Sequence, residues 1–182
     1  GTLSLALLHG GQRQRALELA ARGMALMRGT RPVNGLMLGG VYTLAEVYLA
    51  AWELARGGPA AEARELERAA GEACRLLGAF ARAFTFAEPS FLLCDGLRAW
   101  NSGRTGAALR AWQRCAGRAG ELEMPYEEAR ARLELGRRLA PGDPAREAHL
   151  ARARELFQRL EAAADLARAE AGAGEAAAEL PR

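Results

Sequence analysis

The 182 residues of the chain are enough for one domain, or one stack of repeats, with a hydrophobic core. Half are hydrophobic and 26% charged, which excludes a disordered chain, while 42 Ala and 28 Leu against only 8 Val, Ile and Thr together leave too few β-branched residues to cover a sheet. The net charge is +3 and all 25 basic residues are Arg, so the Lys of a P-loop, a Schiff base or a Ser–Lys dyad is missing.

An all-α fold is expected, and nine helices can be placed in chain order. The first two are 2–9 and 12–28; in the second, Ala16, Leu17, Ala20, Met24 and Met27 recur every three or four residues. The third, 34–56, is apolar around most of its circumference, with Val41, Leu44, Val47, Leu49 and Trp52. Glu46 and Glu53 interrupt it, so it is expected as a buried helix and not as a membrane span. Helices at 59–79, 89–102, 105–121, 125–140, 144–160 and 164–178 follow. Pro59, Pro89 and Pro125 read as first-turn residues, and Asp143 before Pro144 as an N-cap.

The strongest breaks are Gly10–Gly11, Gly57–Gly58–Pro59, Gly103 and Pro141–Gly142, each between two helices. Weaker breaks lie at Gly29–Pro32, Phe84–Pro89 and Glu123–Pro125. The strong breaks recur about every 40 residues, the spacing of repeated helical hairpins. A lone hairpin cannot bury its apolar face, whereas a stack can, so an α-solenoid over residues 1–171 is expected. The Ala-rich stretch 172–182 has few large apolar residues and is expected to fray.

The third hairpin carries the clearest motif. Gly96, Gly103, Ala108, Trp112 and Cys115 are spaced seven, five, four and three residues apart. This resembles the tetratricopeptide (TPR) consensus, in which small residues let two helices approach, a Gly makes the turn and an aromatic fills the space beyond. Leu44, Ala45 and Tyr48 are similar to the start of that consensus, with a delayed turn; the expected fold is therefore TPR-like hairpins with lengthened helices. The resemblance implies that 34–56, 89–102 and 125–140 line a concave groove. It puts Tyr42, Glu46, Trp100, Asn101 and Arg137 on that groove as partner-binding residues, with core or inter-repeat packing as the other reading of Trp100.

A narrower resemblance covers Asp95 to Arg168, most specifically at Met124–Pro125–Tyr126–Glu127 and Ala129–Arg130. It is to the C-terminal helical-repeat region of bacterial signalling ATPases. These are adenylate or guanylate cyclases with a fused AAA-type ATPase module, and regulators of the maltose-activator type. It implies a regulatory module of a multidomain parent, in keeping with a chain that begins at Gly1 and not at Met.

The remaining residues bring no catalytic pattern. His9 and His149 are 140 residues apart with no partner at ligand spacing, and there is no H-E-x-x-H, G-x-S-x-G or EF-hand sequence. No metal, cofactor or catalytic residue is expected. Cys74, Cys94 and Cys115 are odd in number and lack C-x-x-C spacing, which points to reduced thiols and a cytoplasmic setting. No long Arg run marks a nucleic-acid footprint. The expected function is non-enzymatic: a scaffold that binds a protein segment or its own ATPase domain, without direct contact to nucleic acid or membrane. The alternative is a small-molecule sensor that controls a linked cyclase or DNA-binding output domain.

Overall fold

A computed structural model of the chain describes residues 2–28 and 34–178. The weaker break expected at Gly29–Pro32, the side chain of His9 and the last four residues lie outside them. Among the described residues the chain is all-helical, with no strand. The nine α-helices among those residues are α1 (Thr2–His9), α2 (Arg13–Met27), α3 (Leu38–Leu54), α4 (Ala60–Ala83), α5 (Glu88–Asn101), α6 (Thr105–Glu121), α7 (Pro125–Arg138), α8 (Pro144–Arg159) and α9 (Ala163–Ala178). Single 3₁₀ turns, Gly35–Met37 and Thr85–Ala87, lead into α3 and α5.

The turns follow from the residues that make them. Gly11, Gly57, Gly103 and Gly142 all have φ between 76° and 91°, a region open to glycine and strained for other residues. Each ends an odd-numbered helix. After α1 and α5 the chain closes a Schellman turn, with Gln12 N–H donating to Leu7 O at 2.8 Å and Arg104 N–H to Ala99 O at 2.9 Å. Pro125 and Pro144 open their helices, and Asp143 Oδ1 accepts from Ala145 N–H at 2.9 Å. Pro89 is the second residue of α5, and Pro59 sits one residue ahead of α4. The fourth helix runs four residues past the expected end at 79, because no breaker intervenes before Phe84 and Phe80 is fully buried.

Each helix packs on the next, and the odd-numbered helices also pack on one another: α1 on α3, α3 on α5, α5 on α7 and α7 on α9. Among the described residues no contact of similar extent joins two even-numbered helices. The result is an inner layer of odd helices and an outer layer of even ones. Helix α3 touches α1, α2, α4 and α5, which accounts for its apolar circumference. By length and composition, Gly35–Leu54 could cross a membrane; half of its most apolar stretch is buried among those helices. The core falls into three contiguous parts, around Val41, Leu49, Leu77 and Phe80, around Leu93, Trp112 and Leu135, and around Leu133, Leu150 and Phe157.

Candidate functional site

Among the described residues the buried charged side chains, Glu46, Glu128, Arg130 and Glu134, all lie on the inner helices α3 and α7. Glu46 and Glu53 are seven apart on α3, so they share a face. On α7, Tyr126, Arg130, Glu134 and Arg138 follow at intervals of four. Helices α3 and α7 flank α5, and their side chains meet across it. Arg130 Nη2 donates to Glu46 Oε1 at 2.7 Å, and Arg138 Nη2 to Glu53 Oε1 at 2.8 Å. Between these bridges and α9 lies a cleft of about 320 Å³. Leu5, Glu46, Leu49, Leu97, Tyr126 and Arg168 are among its lining, and every lining residue belongs to α1, α3, α5, α7 or α9.

A hydrogen-bonded chain runs along the base of this cleft. Tyr42 O–H donates to Glu46 Oε1 at 3.1 Å. Arg130 Nη1 donates to Tyr126 Oη at 3.3 Å, and Tyr126 O–H to Asp165 Oδ2 at 3.1 Å. Arg168 Nη1 closes the chain on Asp165 Oδ1, also at 3.1 Å. Burial raises the Tyr42 hydroxyl well above its ordinary pKa, although the charge of Arg130 pulls the other way. Burial also raises Tyr126. For Arg130, burial opposes the charge, but Tyr42, Glu46 and Tyr126 outweigh it and hold the guanidinium protonated.

Two of the five expected groove residues, Glu46 and Arg137, line this cleft. Tyr42 stands behind Glu46 and reaches the site only through that carboxylate. Trp100 and Asn101 do not line it. Trp100 is half-buried under Arg138, whose guanidinium carbon is 4.7 Å from the ring centroid. Its Nε1 is buried and has no hydrogen-bond partner among the described residues. Asn101 clips α5 to its neighbour: Nδ2 donates to Leu49 O at 3.0 Å and Oδ1 accepts from Arg56 at 3.3 Å. Residues not expected on the groove supply most of the polar lining: Tyr126 and Arg130, noted in the sequence only for a family resemblance, and Glu134, Asp165 and Arg168. The four-residue spacing on α7 was the available signal.

No group of three His, Cys, Asp or Glu that could hold a metal occurs among the described residues. The three cysteines are free and buried. Burial pushes the thiols of Cys74 and Cys115 up to about 12 and that of Cys94 well above its ordinary value, so none is primed as a nucleophile. Compared with protein-family models, curated proteins and solved structures, the chain matches none.

Proposed function

We propose that the chain is a TPR-like α-solenoid that serves as a non-enzymatic recognition module of a larger signalling protein, and that its inner face takes a segment of a partner protein or of its own parent chain. The observation that carries this reading is the origin of the cleft, whose whole lining comes from the odd-numbered helices. In a stacked-hairpin array that layer is the concave one, where such arrays place their ligands. Its mixture of apolar and mostly paired charged lining suits a peptide better than a phosphate backbone, which calls for unpaired Arg on successive turns. Three free, buried thiols agree with a reducing, cytoplasmic setting. The resemblance of 95–168 to the repeat region of ATPase-linked cyclases and regulators adds the signalling context.

A photo-crosslinking amino acid at Ala50, in the cleft, tests the reading against one at Gly117, on the exposed side of α6. Crosslinks to one protein segment from Ala50 and not from Gly117 are the expected result. Crosslinks from Gly117 alone would move recognition to the outer layer.

A second reading, a small-molecule sensor, is favoured by the cleft volume of about 320 Å³. Ligand pockets span roughly 300–1,000 Å³. A thermal-shift screen separates the two readings, because a ligand at a hundred times its Kd stabilises the folded state by about 2.7 kcal/mol.

A further inference from the structure

Resting on the recognition reading above, we propose that the segment taken by the inner cleft carries a carboxylate. That group is an Asp or Glu side chain or a free chain terminus, held at the cleft mouth by Arg137 and Arg168. The argument is one of unspent hydrogen-bonding capacity. Deep in the cleft, charge is settled internally. Arg130 is engaged by Glu46 and Tyr126. Glu134, with a side chain only 4% exposed, accepts from Arg138 at 3.2 Å. Asp165 accepts from Tyr126 and Arg168.

Arg137 differs from all of these. Its nearest carboxylate oxygen, on Glu134, is 4.0 Å away, beyond hydrogen-bond length. Among the described residues it makes no hydrogen bond, and its side chain is 37% exposed where it lines the cleft. Arg168 commits one N–H, to Asp165, and is 44% exposed. A guanidinium offers five donors in a planar fork that matches a carboxylate. The unspent capacity at the mouth is therefore mostly cationic donor. The carboxylate of comparable exposure in the lining, Glu53, is held by Arg138 at 2.8 Å. An incoming cation must compete with that arginine, whereas an incoming anion meets open donors. Leu5 and Leu97, both half-buried in the lining, offer apolar contact to the rest of the segment.

The test presents the intact protein with matched sets of short random peptides. One set carries Asp, Glu and free C-termini; in the other, each acid is the amide and the C-terminus is amidated. The proteins are the parent, Arg137→Gln, Arg168→Gln, the double variant and Arg114→Gln, a control on the exposed side of α6. Circular dichroism checks that each is folded. The parent is expected to favour the acidic set by about ten-fold or more, with a preference that weakens as salt rises. The double variant is expected to lose that preference, and Arg114→Gln to keep it. Should Arg→Gln at either position unfold the chain, Arg→Lys keeps the charge without the fork and is expected to bind acidic peptides more weakly. Equal binding of the two sets by the parent, or a preference that survives in the double variant, overturns the inference and leaves the recognition reading standing. Binding of neither set overturns both.

Discussion

Arg138 on α7 sits over Trp100 on α5, its guanidinium carbon 4.7 Å from the indole centroid and 5.9 Å from that of Trp112. The same guanidinium donates to Glu53 at 2.8 Å and to Glu134 at 3.2 Å. One side chain thus covers an aromatic pair and neutralises carboxylates on two helices. A partner that anchored on Trp100 would first have to displace it.

Removing that side chain tests how much it holds together. Glu134 would be left buried beside only the loosely placed Arg137. Breaking one partner out of a buried ion pair costs about 3–5 kcal/mol. Because Glu53 keeps partial access to water, Arg138→Ala is expected to lower unfolding free energy by about 3 kcal/mol in urea denaturation. Arg138→Lys should recover part of the loss. A cost under about 1 kcal/mol would mean that water or Arg137 replaces it at Glu134.

The α5–α6 hairpin gives a contrast between two glycines. A Cβ on Gly96 would stand 2.3 Å from Trp112 Nε1, and Trp112 is fully buried with that nitrogen donating to Leu93 O at 3.3 Å. Gly96→Ala is expected to cost about 1–3 kcal/mol through overpacking. Trp112→Ala, which empties the site, is expected to cost about 3–5 kcal/mol. Gly117 has nothing within 4 Å of its would-be Cβ, so Gly117→Ala is expected to stabilise by about 0.5–1 kcal/mol through helix propensity. Thermal denaturation should place Gly117→Ala highest, Gly96→Ala below the parent and Trp112→Ala lowest. A neutral Gly96→Ala would mean that Trp112 is free to move.

These contacts show which parts of the structure the sequence carried. Helix limits were legible because Gly and Pro mark them chemically: the four strong breaks are the four glycines with left-handed backbone. The close approach at Gly96 and Trp112 was legible because a local motif spans it. The polar site was not. Glu46 and Arg130 are 84 residues apart, and Glu53 and Arg138 are 85 apart. Helical periodicity says which residues share a face; it does not say that the faces of α3 and α7 converge over α5. That convergence depends on how α3, α5 and α7 pack on one another, a long-range property. For the same reason the sequence does not choose between a groove and inter-repeat packing for Trp100, whose cover comes from Arg138 on the next odd-numbered helix.

The cysteines give a chemical check on the core. Cys74 is 3% exposed and Cys94 and Cys115 are fully buried, with Cys115 Sγ within 3.2 Å of Pro89 O. Their thiols are held protonated by burial. Thiol reagents require thiolate and access, so native protein at pH 8 is expected to give no fast-reacting thiol. In denaturant all three should titrate. A fast native thiol would place that cysteine at a site that opens.

His149 sets a direction for acid sensitivity. Burial first, and the neighbouring Arg132 second, lower its pKa below the ordinary 6.5, while Asp143 opposes them weakly. Its Nδ1 is buried without a hydrogen-bond partner among the described residues. A folded-state pKa below the unfolded one means that the unfolded chain binds the proton more readily. The contribution of His149 to stability is therefore whole above pH 6.5 and is lost as pH falls through its folded value. Unfolding free energy followed from pH 7.5 to pH 5 should decline, and His149→Gln should flatten that decline. An unchanged slope in the variant would assign the acid sensitivity to the carboxylates.

The Glu46–Arg130 bridge separates stability from recognition. Both side chains are 9% exposed, so both charges have lost most of their water. Arg130 Nε is also buried without a partner among the described residues, and an unmet donor costs about 1–3 kcal/mol. A pair with that defect is poorly placed to be a net stabiliser, since replacing even well-bonded buried pairs by apolar residues is often neutral or favourable by about 1–4 kcal/mol. Arg130→Met alone strands the Glu46 carboxylate and is expected to cost about 3–5 kcal/mol. The triple variant Tyr42→Phe, Glu46→Leu, Arg130→Met removes the carboxylate, its guanidinium and the tyrosine hydroxyl together. It is expected to lie within about 1 kcal/mol of the parent, or above it, in urea denaturation. The same variant leaves Arg137 and Arg168 in the cleft lining, so it should stay helical and keep the preference for acidic peptides. If it is as unstable as Arg130→Met, the bridge belongs to the fold, and its place in the cleft follows from packing alone.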